Sequence, residues 1–265
     1  MANLSTCELF TAHTHRVQSA DFLQQFTGEK LYLDGLQIRF SGREIADPTR
    51  LEKLSIIDCK EVDFIDLENY TSLRTLLLSR TSIDSLEGVS KCKQLQLLNI
   101  GGCHLLKDVN CLHMLTGLKE LFLHETGVTN AGILGLASCV NLEKLNLGGC
   151  LYLSDVNCLG ALVNLKELHL WSTKINNLGI IAINGCESLV EVVLDDCPKV
   201  TDVSCLKDLY NLQFLSLIQT SVDEKGIKEL KSCPLLECLG ISGTQIIHPP
   251  KLWNHASVLQ YLSSL

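Results

Sequence analysis

A nine-residue pattern, LxxLxLxx(C/T), occurs nine times along this chain of 265 residues, with Ile or Val in place of one Leu in four of the matches. The matches begin at Leu51, Leu73, Leu95, Leu118, Leu142, Leu165, Leu189, Leu212 and Leu236, so successive starts lie 22 to 24 residues apart. Leu31 and Leu33 keep the pattern one period upstream, and residues 259–265 have the spacing of a further unit. Because so short a unit cannot bury its own apolar face, consecutive units must stack around a shared core.

A second period of about 47 residues combines the units in pairs. The last position of the pattern alternates between Cys and Thr, as Cys59, Thr81, Cys103, Thr126, Cys150, Thr173, Cys197 and Thr220. The segment after Cys103, Cys150 and Cys197 is short, as in SDVNCLGAL (154–162), and the segment after Thr126, Thr173 and Thr220 is longer, as in INNLGIIAINGC (175–186). The alternation indicates that an ancestral pair of units was duplicated.

This pattern resembles that of the leucine-rich repeat family. The resemblance implies an α/β fold, a curved horseshoe-shaped solenoid with a parallel β-sheet on its concave side and short helices or 3₁₀ turns on its convex side. The longer return segment together with the strand that follows it (132–150) is similar to the cysteine-containing repeats of many F-box proteins, and the shorter return is similar to regulatory-subunit and bacterial-type repeats. The phrase LSDVNCLGALVNLKELHL (153–170) is similar to leucine-rich repeat proteins of trypanosomatid parasites, some of which are described as adenylate cyclase regulators.

The register predicts about ten repeats over residues 28–248. Residues 1–27 fall outside it, and DFLQQF (21–26) predicts a short amphipathic helix in an N-terminal cap. Pro249 and Pro250 interrupt the pattern, so residues 249–265 are expected to form a C-terminal cap or a truncated last repeat, or to lead into further chain.

Charge and composition restrict the function. The net charge of -8 argues against nucleic-acid binding, which needs a basic surface. The first 17 residues have neither a basic start nor a long apolar run, and no stretch of about 18 apolar residues occurs anywhere. The sequence therefore predicts a cytoplasmic protein that does not insert into membranes and keeps its thiols reduced.

Motifs that carry chemistry are missing from the sequence. It contains no nucleophile elbow, phosphate-binding loop, dinucleotide fingerprint or HExxH motif, which predicts a protein that is not an enzyme and binds no cofactor. Eleven of the 13 cysteines fall in three columns of the repeat, which favours buried packing over metal binding. Cys7 and Cys238 lie outside those columns, so the sequence does not exclude a reactive thiol at either position. His13 and His15 alone do not make a metal site, because two ligands are too few.

Alternation along each strand places pattern positions three, five and seven on the concave face. The predicted partner-binding residues on this face are Phe122, His124, Asn146, Glu167, His169, Trp171, Glu191, Val193, Asp195, Phe214 and Ile218. Gly148 lies between His124 and Trp171 in one column, so two rings about 10 Å apart are expected to flank an open slot for a partner side chain. Glu120, Glu125 and Asp196 extend a ring of acidic residues that only Lys144 opposes, which favours an apolar or aromatic anchor flanked by Lys or Arg.

These observations favour a non-catalytic interaction scaffold or regulatory subunit that binds a protein or peptide on the concave sheet. The resemblance implies two alternatives. One is the substrate receptor of a ubiquitin ligase, although no Leu-Pro-led F-box is recognisable in residues 1–50. The other is a regulator of an enzyme such as a phosphatase or adenylate cyclase, because one repeat fold serves many unrelated functions.

Overall fold

Eleven strands form a single parallel sheet within the residues that the structure, a computed structural model, describes: 9–10, 21–35, 39–86, 88–247, 252 and 254–265. The strands are β1 (Leu9–Phe10), β2 (Lys30–Tyr32), β3 (Lys53–Ser55), β4 (Thr75–Leu77), β5 (Leu97–Asn99), β6 (Glu120–Phe122), β7 (Lys144–Asn146), β8 (Glu167–His169), β9 (Glu191–Val193), β10 (Phe214–Ser216) and β11 (Cys238–Gly240). They lie side by side in chain order. One strand per repeat unit is what the sequence pattern predicts.

Each strand from β2 onward covers pattern positions three to five. In β7, Leu145 is buried, whereas Lys144 and Asn146 are half-buried, because successive residues of a strand point to opposite faces. The pairing aligns equivalent residues, so that Leu121, Leu145 and Leu168 lie next to one another in the core. Positions three and five therefore lie on the opposite, concave face, as the alternation predicts.

The return segments are mostly 3₁₀ helices. These are Asp21–Gln25, Pro48–Arg50, Val89–Lys91, Asn110–Met114, Ala131–Ser138, Asn157–Ala161, Asn177–Gly185, Ser204–Leu206 and Lys228–Ser232. Two α-helices complete the description, α1 (Glu224–Ile227) and α2 (His255–Ser264). The longer returns after the Thr-ended units give the longest 3₁₀ segments, so the alternation seen in the sequence is an alternation of structure on the convex side.

Neighbouring returns pack backbone to backbone at one glycine column. A Cβ atom at Gly132, Gly179 or Gly226 would overlap with the carbonyl oxygen of Lys107, Ser154 or Thr201 respectively. The Val156 N–H group also donates a hydrogen bond of 2.8 Å to the Gly179 carbonyl oxygen. Glycine is required at this column because no side chain fits between adjacent returns.

Asparagine side chains connect the returns across the same convex side. Asn110 Oδ1 accepts a hydrogen bond of 2.6 Å from the Gly135 N–H group, and Asn157 Oδ1 accepts one of 2.8 Å from the Ala182 N–H group. The Nδ2 atoms of the same two residues donate to carbonyl oxygens of the following return. These asparagines thus connect each return to the next through hydrogen bonds to backbone groups of the following 3₁₀ segment.

The N-terminal segment continues the sheet, which corrects the expectation that residues 1–27 fall outside the register. Strand β1 pairs in parallel with β2, with Leu9 opposite Leu31. The return Asp21–Gln25 confirms a short helix here, and Leu23 and Phe26 are buried in the core. Strand β1 and the 3₁₀ helix Asp21–Gln25 thus add one strand and one helical turn before β2, which the pattern does not reveal because Thr6 and Thr11 stand where it has apolar residues.

The C-terminal segment ends in a helix rather than a further repeat. Residues 259–265 belong to or follow α2, so the expected unit there is wrong. Val258 and Leu262, four residues apart on one face, are buried against Lys228–Ser232 and β11. The helix covers the last repeat, as expected for a cap, and the prolines at 249 and 250 lie outside the described residues.

Candidate functional site

The predicted partner-binding residues lie together on one side of the sheet. We call this set the concave patch; it consists of Phe122, His124, Asn146, Glu167, His169, Trp171, Glu191, Val193, Asp195, Phe214 and Ile218. Strand pairing places Phe122, Asn146, His169 and Val193 in one row and Glu167, Glu191 and Phe214 in another. The patch residues are half-buried, except Ile218, which is 36% exposed.

The expected open slot beside Trp171 is filled by Trp171 itself. A Cβ atom at Gly148 would overlap with Cε2 and Nε1 of the Trp171 indole, so the ring covers this glycine. The slot prediction is wrong because a ring on one strand leans onto the preceding strand wherever glycine leaves room for it. Trp171 thus contacts the sheet over Gly148.

His124 repeats this arrangement two strands earlier. Its imidazole covers Gly101, where a Cβ atom would overlap with Cε1 and Nε2 of the ring. The Nδ1 atom of His124 is buried and has no hydrogen-bond partner among the described residues. Burial lowers the pKa of His124, although the negative charge of Glu125 opposes this shift. The ring is therefore neutral at pH 7.

This pKa shift predicts a pH-dependent stability. Between the lowered pKa of the folded state and the ordinary value of 6.5, the unfolded chain binds a proton that folded His124 does not. The contribution of His124 to stability is present above pH 6.5 and decreases as the pH falls below it. We expect the melting temperature of His124→Gln to fall less than that of the wild type between neutral and mildly acidic pH, in parallel thermal melts. An equal fall in the melting temperatures of the two proteins would contradict a lowered pKa for His124.

Three acidic residues of the patch have partners within the chain, and Lys144 is not the only group that opposes them. Glu167 forms an ion pair of 2.7 Å with Lys144, and Glu191 lies 2.9 Å from Nε2 of His169. Asp195 accepts a hydrogen bond of 2.9 Å from the Ile218 N–H group. Hydrogen bonding to Glu167 is the main reason why the pKa of Lys144 is raised, so this ammonium stays charged.

Three other carboxylates at the edge of the patch have no ion pair or hydrogen bond within the described part of the chain: Glu120, Glu125 and Asp196. Glu125 and Asp196 are exposed and occupy the same turn position, with φ values of 56° and 55°. The patch thus has an acidic edge, and Lys144 is neutralised by its own partner.

The convex side carries exposed apolar residues that the sequence analysis missed. Leu134, Leu178 and Ile181 on the longer returns are 58%, 73% and 51% exposed. In the sequence, these residues are recognisable as apolar residues at positions where the repeat register does not require one, as in GILGLASC (132–139). They do not contribute to the concave patch.

Solved structures from Listeria monocytogenes share this architecture. The internalin InlF has a TM-score of 0.57 at 19% identity, covering 86% of this chain and 76% of its own. The chain is a leucine-rich repeat solenoid. Internalin C2 gives 0.56 at 23% identity, covering 68% of this chain and 74% of its own. The functional domain of InlJ gives 0.64 at 14% identity, covering 92% of this chain and 55% of its own.

No protein-family model and no curated protein matches the sequence. The narrower similarity to trypanosomatid proteins stays a prediction. No helix among the described residues is long and apolar enough to span a membrane. In the same residues, no group of three or more His, Cys, Asp and Glu side chains has the geometry of a metal site.

The InlJ domain is described as including a cysteine ladder, and this solenoid contains a ladder in which Cys alternates with Thr. Thr126 Oγ1 donates a hydrogen bond of 2.7 Å to the Leu123 carbonyl oxygen, and Cys150 Sγ of the next unit donates to the same oxygen at 3.2 Å. Leu78 and Leu170 accept equivalent pairs. The pair period of the sequence arises because a Thr and the following Cys share one acceptor.

Burial makes the ladder and return cysteines poor nucleophiles. It raises the pKa of Cys92 to about 12 and that of Cys186 to about 11, so almost none of either thiol is ionised at neutral pH. Cys238 lies on the concave face and is half-buried, and burial raises its pKa too. Cys7, His13 and His15 lie outside the described residues.

These environments predict an order of alkylation. In a brief iodoacetamide treatment of the folded protein at pH 8, Cys238 is expected to be modified well before Cys92 and Cys150, because only its side chain is accessible. Peptide mass spectrometry measures the order, and the unfolded protein serves as the control in which all three react. Equal rates in the folded protein would show that the buried columns open easily.

Proposed function

We propose that this chain is a non-catalytic binding protein that holds a protein partner on the concave patch, as a scaffold or regulatory subunit in the cytoplasm. The observation that carries the proposal is the patch itself. It combines Phe122 on β6, Trp171 after β8 and Phe214 on β10, within five consecutive strands of a chain whose aromatic content is only 5%. Aromatic residues on a rigid surface are the type that most often dominates binding energy.

The charge at the patch supports a partner with basic residues. The three unpaired carboxylates at its edge attract Lys or Arg, and the overall charge of -8 adds a long-range attraction. Since Trp171 covers Gly148, the partner's apolar or aromatic anchor contacts the outer face of the ring instead of entering a slot. The partner class is therefore a protein or peptide whose apolar anchor has basic neighbours.

Comparative capture from native cytosol tests the proposal. The baits are the intact chain, the double variant Phe122→Ala/Trp171→Ala and the control Tyr210→Ala, which removes an aromatic residue that is 60% exposed in the turn before β10. All three must have the same melting temperature. Quantitative mass spectrometry is expected to find a stoichiometric partner with the intact chain and the control but not with the double variant.

Equal recovery by all three baits would refute binding at the concave patch. In that case the convex apolar residues Leu134, Leu178 and Ile181 become the next surface to test. The identity of a captured partner also decides between a scaffold and the alternatives given by the sequence. A ligase adaptor or an enzyme subunit would each be recognised directly.

A further inference from the structure

We infer that Trp171 and Glu125 form a binding site for an arginine side chain of the partner. The inference rests on the proposed function and specifies its chemistry. The sequence leaves Lys and Arg equivalent, whereas the geometry of this corner of the patch distinguishes them. Three features distinguish them: the position of the indole, the side chain of Glu125 beside it, and the pairing of Lys144 and Arg80 with other carboxylates.

The indole and the side chain of Glu125 meet above Gly149. The Cβ position of this glycine lies 3.3 Å from Cζ3 of Trp171 and 2.9 Å from Cγ of Glu125. The two side chains therefore approach the same point from adjacent units. Gly148 and Gly149 make this possible because neither has a side chain, and Gly149 also adopts a φ of +73°, which favours glycine.

Part of the indole is accessible to a partner. The ring lies over Gly148 and is half-buried, so the part that does not contact the sheet is exposed to solvent. A cation above a tryptophan face is attracted by the negative potential of the ring. Glu125 next to the ring edge supplies a full negative charge for the same cation.

Two cations in the neighbouring described units are already paired. Lys144 pairs with Glu167, and Arg80 lies 3.3 Å from Asp58. Glu125 has no ion pair within the described part of the chain. Glu125 therefore contributes a negative charge that a basic residue of the partner can pair with.

Arginine fits this arrangement better than lysine. Its planar guanidinium stacks on an aromatic face while its N–H groups, which lie in the same plane, reach a carboxylate at the ring edge. A lysine ammonium is a compact, strongly hydrated charge that gains less from stacking. Trp171 supplies the aromatic surface and Glu125 the neighbouring carboxylate.

Matched peptides test the site directly. Acetylated tri-arginine amide and tri-lysine amide carry the same charge, and each is titrated at low ionic strength into the full chain by calorimetry. The variant Trp253→Phe leaves Trp171 as the only tryptophan, so its fluorescence reports binding at the site. We expect the arginine peptide to bind at least about fivefold more tightly and to change the Trp171 emission.

Substitutions identify the contributing side chains. Glu125→Gln and Trp171→Leu are expected to abolish the preference for arginine, and Trp171→Phe to retain part of it. Glu187→Gln removes an exposed carboxylate in the turn before β9 and is expected to leave the preference unchanged. Equal affinity of the intact chain for both peptides, or a preference that survives Trp171→Leu, would overturn the inference. Partner capture is measured separately, so a failed arginine site leaves the proposed function standing.

Discussion

Trp171→Ala is expected to lower the affinity for the captured partner by at least about 2 kcal/mol, or roughly 30-fold. The substitution removes the largest aromatic surface of the patch and exposes Gly148, which the indole covers in the folded protein. The backbone of β8 and the core below it are unchanged, because Leu168 and Leu170 point to the opposite face and stay buried. The loss should therefore appear in binding and not in folding.

Calorimetry with purified partner measures this loss. Tyr210→Ala again serves as the control, because it deletes an exposed aromatic side chain outside the patch. A second comparison uses Gly148→Ala, whose added methyl group displaces the indole from the sheet without deleting it. We expect an intermediate affinity for this variant. An affinity change below about 0.5 kcal/mol for Trp171→Ala would remove Trp171 from the role of anchor.

The sequence predicts the register and the exposed columns correctly because both depend on periodicity. Leucine at positions four and six fixes which face is buried, and a slip by one residue would expose all of them. The rows containing Phe122 and Glu167 follow from that register alone. The sequence does not predict β1 because two of the three apolar positions of its pattern are occupied by Thr6 and Thr11.

Sequence periodicity does not determine the direction in which a side chain points within its column. The rings of His124 and Trp171 lean over Gly101 and Gly148 because the space is there, and the open slot disappears. The pairs Lys144–Glu167 and His169–Glu191 likewise depend on the rotamers that two neighbouring strands select together. Columns of residues were thus predictable, and contacts within a column were not.

The second large effect is expected on the convex side, where a substitution of Gly179 should change the stability of the protein. Gly179→Ala is expected to destabilise the protein by about 1–3 kcal/mol, because the new methyl group overlaps with the Ser154 carbonyl oxygen and neither backbone has room to move. Helix propensity alone predicts the opposite sign, since Ala is favoured over Gly by about 1 kcal/mol in a helix. The sign of the change therefore decides whether contact between returns or local backbone preference dominates.

Gly117→Ala is the matched control. Its new methyl group would lie 3.8 Å from the nearest atom, the Lys93 carbonyl oxygen, so we expect a change within about 0.5 kcal/mol. Denaturant melts of both variants give the free energies of unfolding. In a solenoid, each unit contacts only its neighbours, so hydrogen exchange in Gly179→Ala should increase first around the returns Asn157–Ala161 and Asn177–Gly185. An equal increase along all units would instead mean that the solenoid unfolds as one cooperative block, and that the close contact at Gly179 stabilises the concave patch as well as the convex side.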